Sequence, residues 1–279
     1  MKFVCVDGNI RSAEEALLFV SNRSFRYGDG LFETMKMING RIILKKFHFE
    51  RLFGSLQLLK YKIPSLFIEP VLESKIKELA EKNECSSLCR IRLTVFRGNG
   101  NLYPTGELLN YLIECAGLDA SVNELNEHGL SIGLYKEAHK TCDPLSAVKS
   151  ANFLPYIMAA MHAEENKLDD CLLLNAKGAI ADTTMANIFL IKGNNIYTPA
   201  LSQGCVNGVM RRYLLDSFEK KGYACVEAEL QEEDLLEADE VFLTNAIRGI
   251  RWVEKYTTRE YKSSHAGKIY NDFIKTIFS

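Results

Sequence analysis

Residues 31–38 (LFETMKMI) alternate apolar and polar side chains, Asn39-Gly40 supplies a tight turn, and 41–44 (RIIL) returns apolar. That is the pattern of a β-hairpin. From 48 to 60 the period changes: Phe49, Leu52, Phe53, Leu56 and Leu59 fall on one face of a helix. Val71, Leu72, Ile76 and Leu79 repeat the helical spacing, and two strands follow at 89–96 and 109–115 around a loop rich in Gly and Asn. Residues 117–129 are polar and without strong period, which predicts a connector. Beyond it the pattern predicts a strand at 130–135 and a helix at 155–167 with Pro155 in its first turn. It continues with strands at 171–174, 179–183 and 187–191, a helix at 209–221, a buried strand at 241–244 and a closing amphipathic helix at 264–278. The simplest architecture is α+β in two domains, 1–116 and 130–279, joined by 117–129 with a cleft between them.

At 279 residues and 47% hydrophobic the chain has enough apolar material for such cores. A formal net charge of −2 argues against nucleic acid or an anionic membrane as partner. No window has the apolar length of a membrane span, and the opening MKFVCV turns polar too soon for a secretory leader, so it reads as a first strand. Cys85 and Cys89 lack zinc-site spacing and no second pair answers them; the eight cysteines read as reduced thiols in a cytoplasmic protein without a metal site. The five histidines form no HExxH, and neither a GxSxG elbow nor a phosphate-binding glycine loop of nucleotide enzymes occurs.

Three segments carry candidate chemistry. Lys149 alone would be a solvated charge, but Ala147, Val148, Ala151, Phe153 and Leu154 around it are small or apolar. An amine in such surroundings is desolvated and becomes a neutral nucleophile. Asp182, thirty-three residues later, is either a strand-end acid capping a turn or a carboxylate for a ring nitrogen. Gly204 to Arg212 opens a helix between two glycines; it is either an ordinary loop-to-helix junction or a phosphate nest. An amine, an acid and a nest in that order suit an enzyme of pyridoxal 5′-phosphate, whose protonated ring is the electron sink. His48 and Arg51 lie one helical turn apart; Arg51 can clamp phosphate or pair with Glu50 or another acid.

Together these segments resemble the class IV (fold-type IV) pyridoxal-phosphate enzymes, which include branched-chain aminotransferases, D-amino acid aminotransferases and 4-amino-4-deoxychorismate lyases. The resemblance runs from about residue 23 to 253. It rests on Tyr27-Gly28-Asp29-Gly30-Leu31-Phe32-Glu33, on His48-x-x-Arg51-Leu52, on Lys149-Ser150-Ala151-Asn152, on Asn187-Ile188-Phe189, on Val206-Asn207-Gly208-Val209-Met210-Arg211 and on Thr244-Asn245-Ala246-Ile247. It implies a smaller N-terminal α/β domain, a larger C-terminal domain, the cofactor in the cleft and a homodimer acting on a small amino-acid-like substrate. It also implies that Lys149 is the catalytic amine. Lys149, Arg51, Asp182, Asn187, Gly208, Val209, Met210, Asn245 and Ala246 would hold the cofactor, and Tyr27, Glu33, Arg92, Ala246 and Ile247 would meet the substrate.

Departures from the family pattern bear on the reaction. Asp182 stands where glutamate is usual. Met210 and Ala246 stand where aminotransferases often carry threonine, which leans toward the lyase branch. The loop Arg97 to Pro104 lacks a clear match to the carboxylate-binding loop of D-amino acid enzymes, and Leu102 replaces an arginine frequent in the lyase loop. Glu33 and Arg92 lean toward transamination. The leading expectation is a lyase forming 4-aminobenzoate and pyruvate, the alternative a branched-chain or related aminotransferase, and the third a catalytically silent relative.

Overall fold

The computed structural model describes residues 1–15, 19–103 and 109–279, so Pro104 of the glycine-rich loop lies outside the described residues. The chain forms two compact units, one of residues 1–120 with 149–152, the other of 121–148 with 153–279. The α+β organisation expected from the sequence is observed in both.

The first unit is built from β1 (Phe3–Val6), β2 (Asn9–Ser12), α1 (Arg23–Tyr27), β3 (Gly30–Ile38), β4 (Arg41–Ile42), α2 (Lys45–Leu58), α3 (Glu69–Lys82), β5 (Leu88–Arg97) and β6 (Leu109–Gly117). Its six strands form one antiparallel sheet in the order β2-β1-β6-β5-β3-β4. The predicted hairpin is β3–β4, closed by Asn39 and Gly40 with φ of 48° and 75°. Positive φ at both central residues is what a two-residue turn of matching twist requires. The helix expected at 48–60 begins three residues earlier, at Lys45, behind Leu44 in the left-handed region, and Lys60 beyond its end also has positive φ. α2 buries Phe49, Leu52 and Leu56, and also His48 and Arg51, which matters for the site.

The second unit contains β7 (Leu130–Lys140), α4 (Leu154–Glu165), β8 (Asp170–Asn175), β9 (Ile180–Thr183), β10 (Asn187–Lys192), β11 (Asn195–Pro199), α5 (Val209–Lys221), β12 (Ala224–Ala228), α6 (Glu232–Glu237), β13 (Glu240–Asn245), β14 (Gly249–Tyr256), β15 (Arg259–Glu260), α7 (Ser264–Ile269) and α8 (Lys275–Phe278). Its sheet runs β12-β11-β10-β13-β14-β7-β8-β9, with β15 on β14. β7 is parallel to both β14 and β8. The closing helix is interrupted by a π-turn at Tyr270–Ile274.

Three differences from the pattern reading have local causes. β7 continues five residues past Tyr135, because a register shift between Tyr135 and His139 carries the polar stretch Lys136-Glu137 through the pairing with β8. β14 is a central strand although Arg251, Glu254 and Lys255 interrupt its apolar run. α6 has little apolar periodicity; reciprocal bonds between Gln231 and Asp234 cap it instead.

Candidate active site

In the first unit, residues 149–151 lie along β3. The Phe32 N–H donates to the Lys149 carbonyl at 2.9 Å, and the Ala151 N–H donates to the Gly30 carbonyl at 2.8 Å. These bonds fix the lysine's backbone independently of its side chain. Nζ of half-buried Lys149 lies 4.5 Å from the Phe32 ring centroid, and Cζ of Arg92 lies 3.8 Å from the same centroid. Asn152 packs on Gly28, where a Cβ would strike its side chain; Gly28, with φ of 65°, ends α1 just after the expected substrate residue Tyr27.

Behind Lys149 sits a buried ionic group. Nε and Nη2 of Arg51 donate to the two oxygens of Glu33 at 2.7 and 2.6 Å, and His48 Nδ1 lies 2.6 Å from Oε2. Arg51 is therefore held by Glu33 on β3. Glu33, expected to meet the substrate, has both oxygens engaged. Burial pushes its carboxyl pKa up, but Arg51 and His48 outweigh this and hold it at about 2. For His48, burial pulls the pKa down, Glu33 opposes, and the charges of Arg51 and Lys149 lower it further. A folded pKa of about 2 against an ordinary 4.5 means that Glu33 contributes stability fully present above pH 4.5 and lost as pH falls toward 2. The contribution is roughly 3 kcal/mol. Denaturant titrations across that window are expected to show this loss in the wild type and its absence in Glu33→Gln.

In the second unit, Asp182 on β9 is 2% exposed, and the described residues crowd one of its oxygens. Oδ2 accepts from Lys140 Nζ at 2.8 Å, from the Val206 N–H at 2.9 Å and from the Tyr156 hydroxyl at 3.1 Å. Oδ1 is buried and, among the described residues, has no hydrogen-bond partner. An unsatisfied buried carboxylate oxygen is costly, so this atom fits a donor that a bound ligand brings. A protonated pyridine ring carries such a donor.

Asn187, at the start of β10, donates from Nδ2 to the Val206 carbonyl at 2.9 Å. Its Oδ1 occupies the space where a Cβ on Gly208 would go. Gly208 is the N-cap of α5, and Val209 and Met210 are buried in the first turn, whose main-chain N–H groups are the unpaired donors of a helix start. Main-chain N–H groups at such a helix start suit an anion such as a phosphate. Gly208→Ala is expected to push Asn187 off Val206 and cost about 1–3 kcal/mol, read as a lower unfolding midpoint. Between β13 and β14, Asn245 Oδ1 accepts from the N–H groups of Ile247 and Arg248, which places Ala246 at the tip of a tight turn.

Pattern reading missed Lys140 and Tyr156. Tyr156 had a signal: it shares the buried side of α4 with Ala159 and Ala163 at helical spacing. Lys140 had none, because its strand was expected to end at 135.

Comparison with known proteins places the chain in a family. Residues 30–256 match the model of the family described as amino-transferase class IV. Aminodeoxychorismate lyase of Vibrio harveyi is 28% identical over 246 residues, 87% of this chain and 89% of that protein. D-alanine aminotransferase of Listeria monocytogenes is 26% identical over 248 residues, 87% and 83% of the two chains. The branched-chain aminotransferase of Thermoproteus uzoniensis, solved with norvaline, shares the fold with a TM-score of 0.88 over 99% of this chain and 94% of that one, at 22% identity. A match that spans residues 30–256 means that the chain belongs to the class IV aminotransferase family of pyridoxal-phosphate enzymes.

Proposed function

We propose that the chain is a lyase that converts 4-amino-4-deoxychorismate to 4-aminobenzoate and pyruvate. Pyridoxal phosphate, when bound, supplies an electron-withdrawing ring next to the carbon that bears the substrate's amine. Lys149 Nζ would hold the cofactor's aldehyde and, as a free amine, would take the proton from the substrate carbon and return a proton as pyruvate leaves. Asp182 Oδ1 would accept from the ring nitrogen. Arg51, the α5 start at Val209 and Met210, and Ala246 would hold the phosphate, with Asn187, Gly208 and Asn245 shaping the backbone around it. Glu33 acts through Arg51, fixing its guanidinium plane. Tyr27, Arg92 and Ile247 meet the substrate.

The observation that carries the cofactor reading is the open Oδ1 of Asp182. What supports lyase chemistry is the methionine at 210 and the alanine at 246, which put no side-chain hydroxyl where aminotransferases often have one. Transamination is the second reading; Arg92, stacked on Phe32 and only partly buried, supports it as a candidate partner for a substrate carboxylate. The test supplies 4-amino-4-deoxychorismate alone and follows 4-aminobenzoate and pyruvate. A parallel arm supplies leucine, isoleucine or D-alanine with 2-oxoglutarate and follows glutamate. Fast glutamate formation without 4-aminobenzoate overturns the lyase reading. No turnover in either arm and no visible cofactor band would identify a silent relative.

The working form is a homodimer. In α4, Leu154, Ile157, Met158 and Met161 are 67, 50, 39 and 48% exposed and form one stripe at helical spacing. Light scattering is expected to give twice the 31.6 kDa chain mass at micromolar concentration. The double variant Ile157→Asp, Met161→Asp is expected to give the single mass; a wild type found only at 31.6 kDa refutes the dimer.

A further inference from the structure

Asp182 does not stand alone. Lys140 and Tyr156 are each 8% exposed, and with Asp182 they form a buried triad in the second unit. Lys140 Nζ donates to Asp182 Oδ2 and to the Tyr156 hydroxyl, and the Tyr156 hydroxyl donates to the same Oδ2. The Val206 N–H adds a third donor to that oxygen. An ionised carboxylate oxygen offers about two lone-pair sites, so three donors saturate Oδ2 and any further donor must go to Oδ1. Phe153 fixes the tyrosine: its ring stacks on that of Tyr156, the centroids 4.4 Å and the planes 25° apart. The Val206 peptide is held at both ends, by Asp182 at its N–H and by Asn187 at its carbonyl. The acid is therefore tied to the segment that leads into α5.

Oδ2 is filled by donors from three segments, which fixes the carboxylate plane and the direction in which Oδ1 points. The aspartate is also a methylene shorter than the glutamate usual in the family, so it has less freedom to adjust its reach. We propose that Lys140, supported by Tyr156, is a positioning residue that anchors Asp182 through Oδ2 and leaves Oδ1 as the single acceptor for the ring nitrogen of pyridoxal phosphate. Lys140 touches neither substrate nor reacting atoms in this role. The inference rests on the reading of Asp182 given above.

The test is equilibrium exchange on the full-length holoenzyme between pyridoxal phosphate and its 1-deaza analogue, in which the ring nitrogen is a C–H group. Both ligands are quantified after exchange, so the readout is relative affinity and needs no turnover. Wild type is expected to prefer pyridoxal phosphate by about ten- to a hundredfold, the size of one charge-assisted hydrogen bond. Lys140→Met is expected to bring the two ligands within about threefold, and Lys140→Arg, which keeps the charge, to retain most of the preference. Lys140→Gln, neutral and of similar length, replaces Lys140→Met if that variant does not fold. Tyr156→Phe is expected to lower the preference only partly, since the ion pair remains. An undiminished preference in the neutral Lys140 variants overturns the role of Lys140. Absence of preference in the wild type, with the cofactor still fixed to Lys149 by borohydride, overturns instead the reading of Asp182 and the proposal with it.

Discussion

Lys149→Ala is expected to remove the visible band of lysine-bound cofactor and to lower turnover by roughly 10²–10⁴-fold, the range of a positioned acid–base group, with covalent anchoring lost in addition. Folding is expected to change little. Lys149 is half-buried, and the two bonds that hold its segment on β3 are main-chain bonds that an alanine keeps. The alanine gives up the amine's place over the Phe32 ring, worth about 0.5–1 kcal/mol at a partly exposed site. Lys140, a buried lysine of the second unit, is no substitute, because Asp182 and Tyr156 hold its amine. Borohydride reduction followed by mass spectrometry checks the result. Cofactor still fixed covalently to the alanine variant would remove Lys149 from its role.

Asp182→Asn is expected to lower turnover by roughly a hundredfold or more, as removal of a preorganised charge from an active site does. Unlike the lysine change, it is also expected to destabilise the fold. The asparagine leaves the Lys140 cation buried without a counter-charge, and breaking a buried pair from one side costs about 3–5 kcal/mol. The double variant Asp182→Asn, Lys140→Met removes both charges. It is expected to recover most of the unfolding midpoint and none of the turnover. Calorimetry and steady-state rates on the same samples separate the two effects. A wild-type rate in Asp182→Asn would leave Asp182 as a strand-end cap and nothing more.

Much of the fold was legible because its signals are local. The hairpin of β3 and β4 follows from alternation around Asn39-Gly40, and the limits of α5 follow from Gly208 before it and Gly222 after it. Lys149, Asp182 and Gly208 stood out because each belongs to a short contiguous motif. What could not be read is what non-local pairing brings together. Lys140 reaches Asp182 because β7 pairs with β8 and β8 with β9, so three strands must take their register before the ion pair exists. The spacing of His48 and Arg51 shows that they share a helical face, but not that α2 lays that face against Glu33. β14 was hidden for a related reason: its charged residues look like loop until strands are known to lie on both sides.

The membership of residues 149–152 in the first unit has a consequence for synthesis on the ribosome. The main chain of Gly30 and Phe32 is bonded by residues that emerge more than a hundred positions later. At about 5–20 residues per second, that stretch of β3 waits for roughly 6–23 seconds after its own translation. A nascent chain halted at residue 120 would hold all six strands of the sheet, with this stretch still open to other extended chains. The segment that carries Lys149 is thus also the last part to complete the first unit, and a chain that has not yet folded that far has no Lys149 in place.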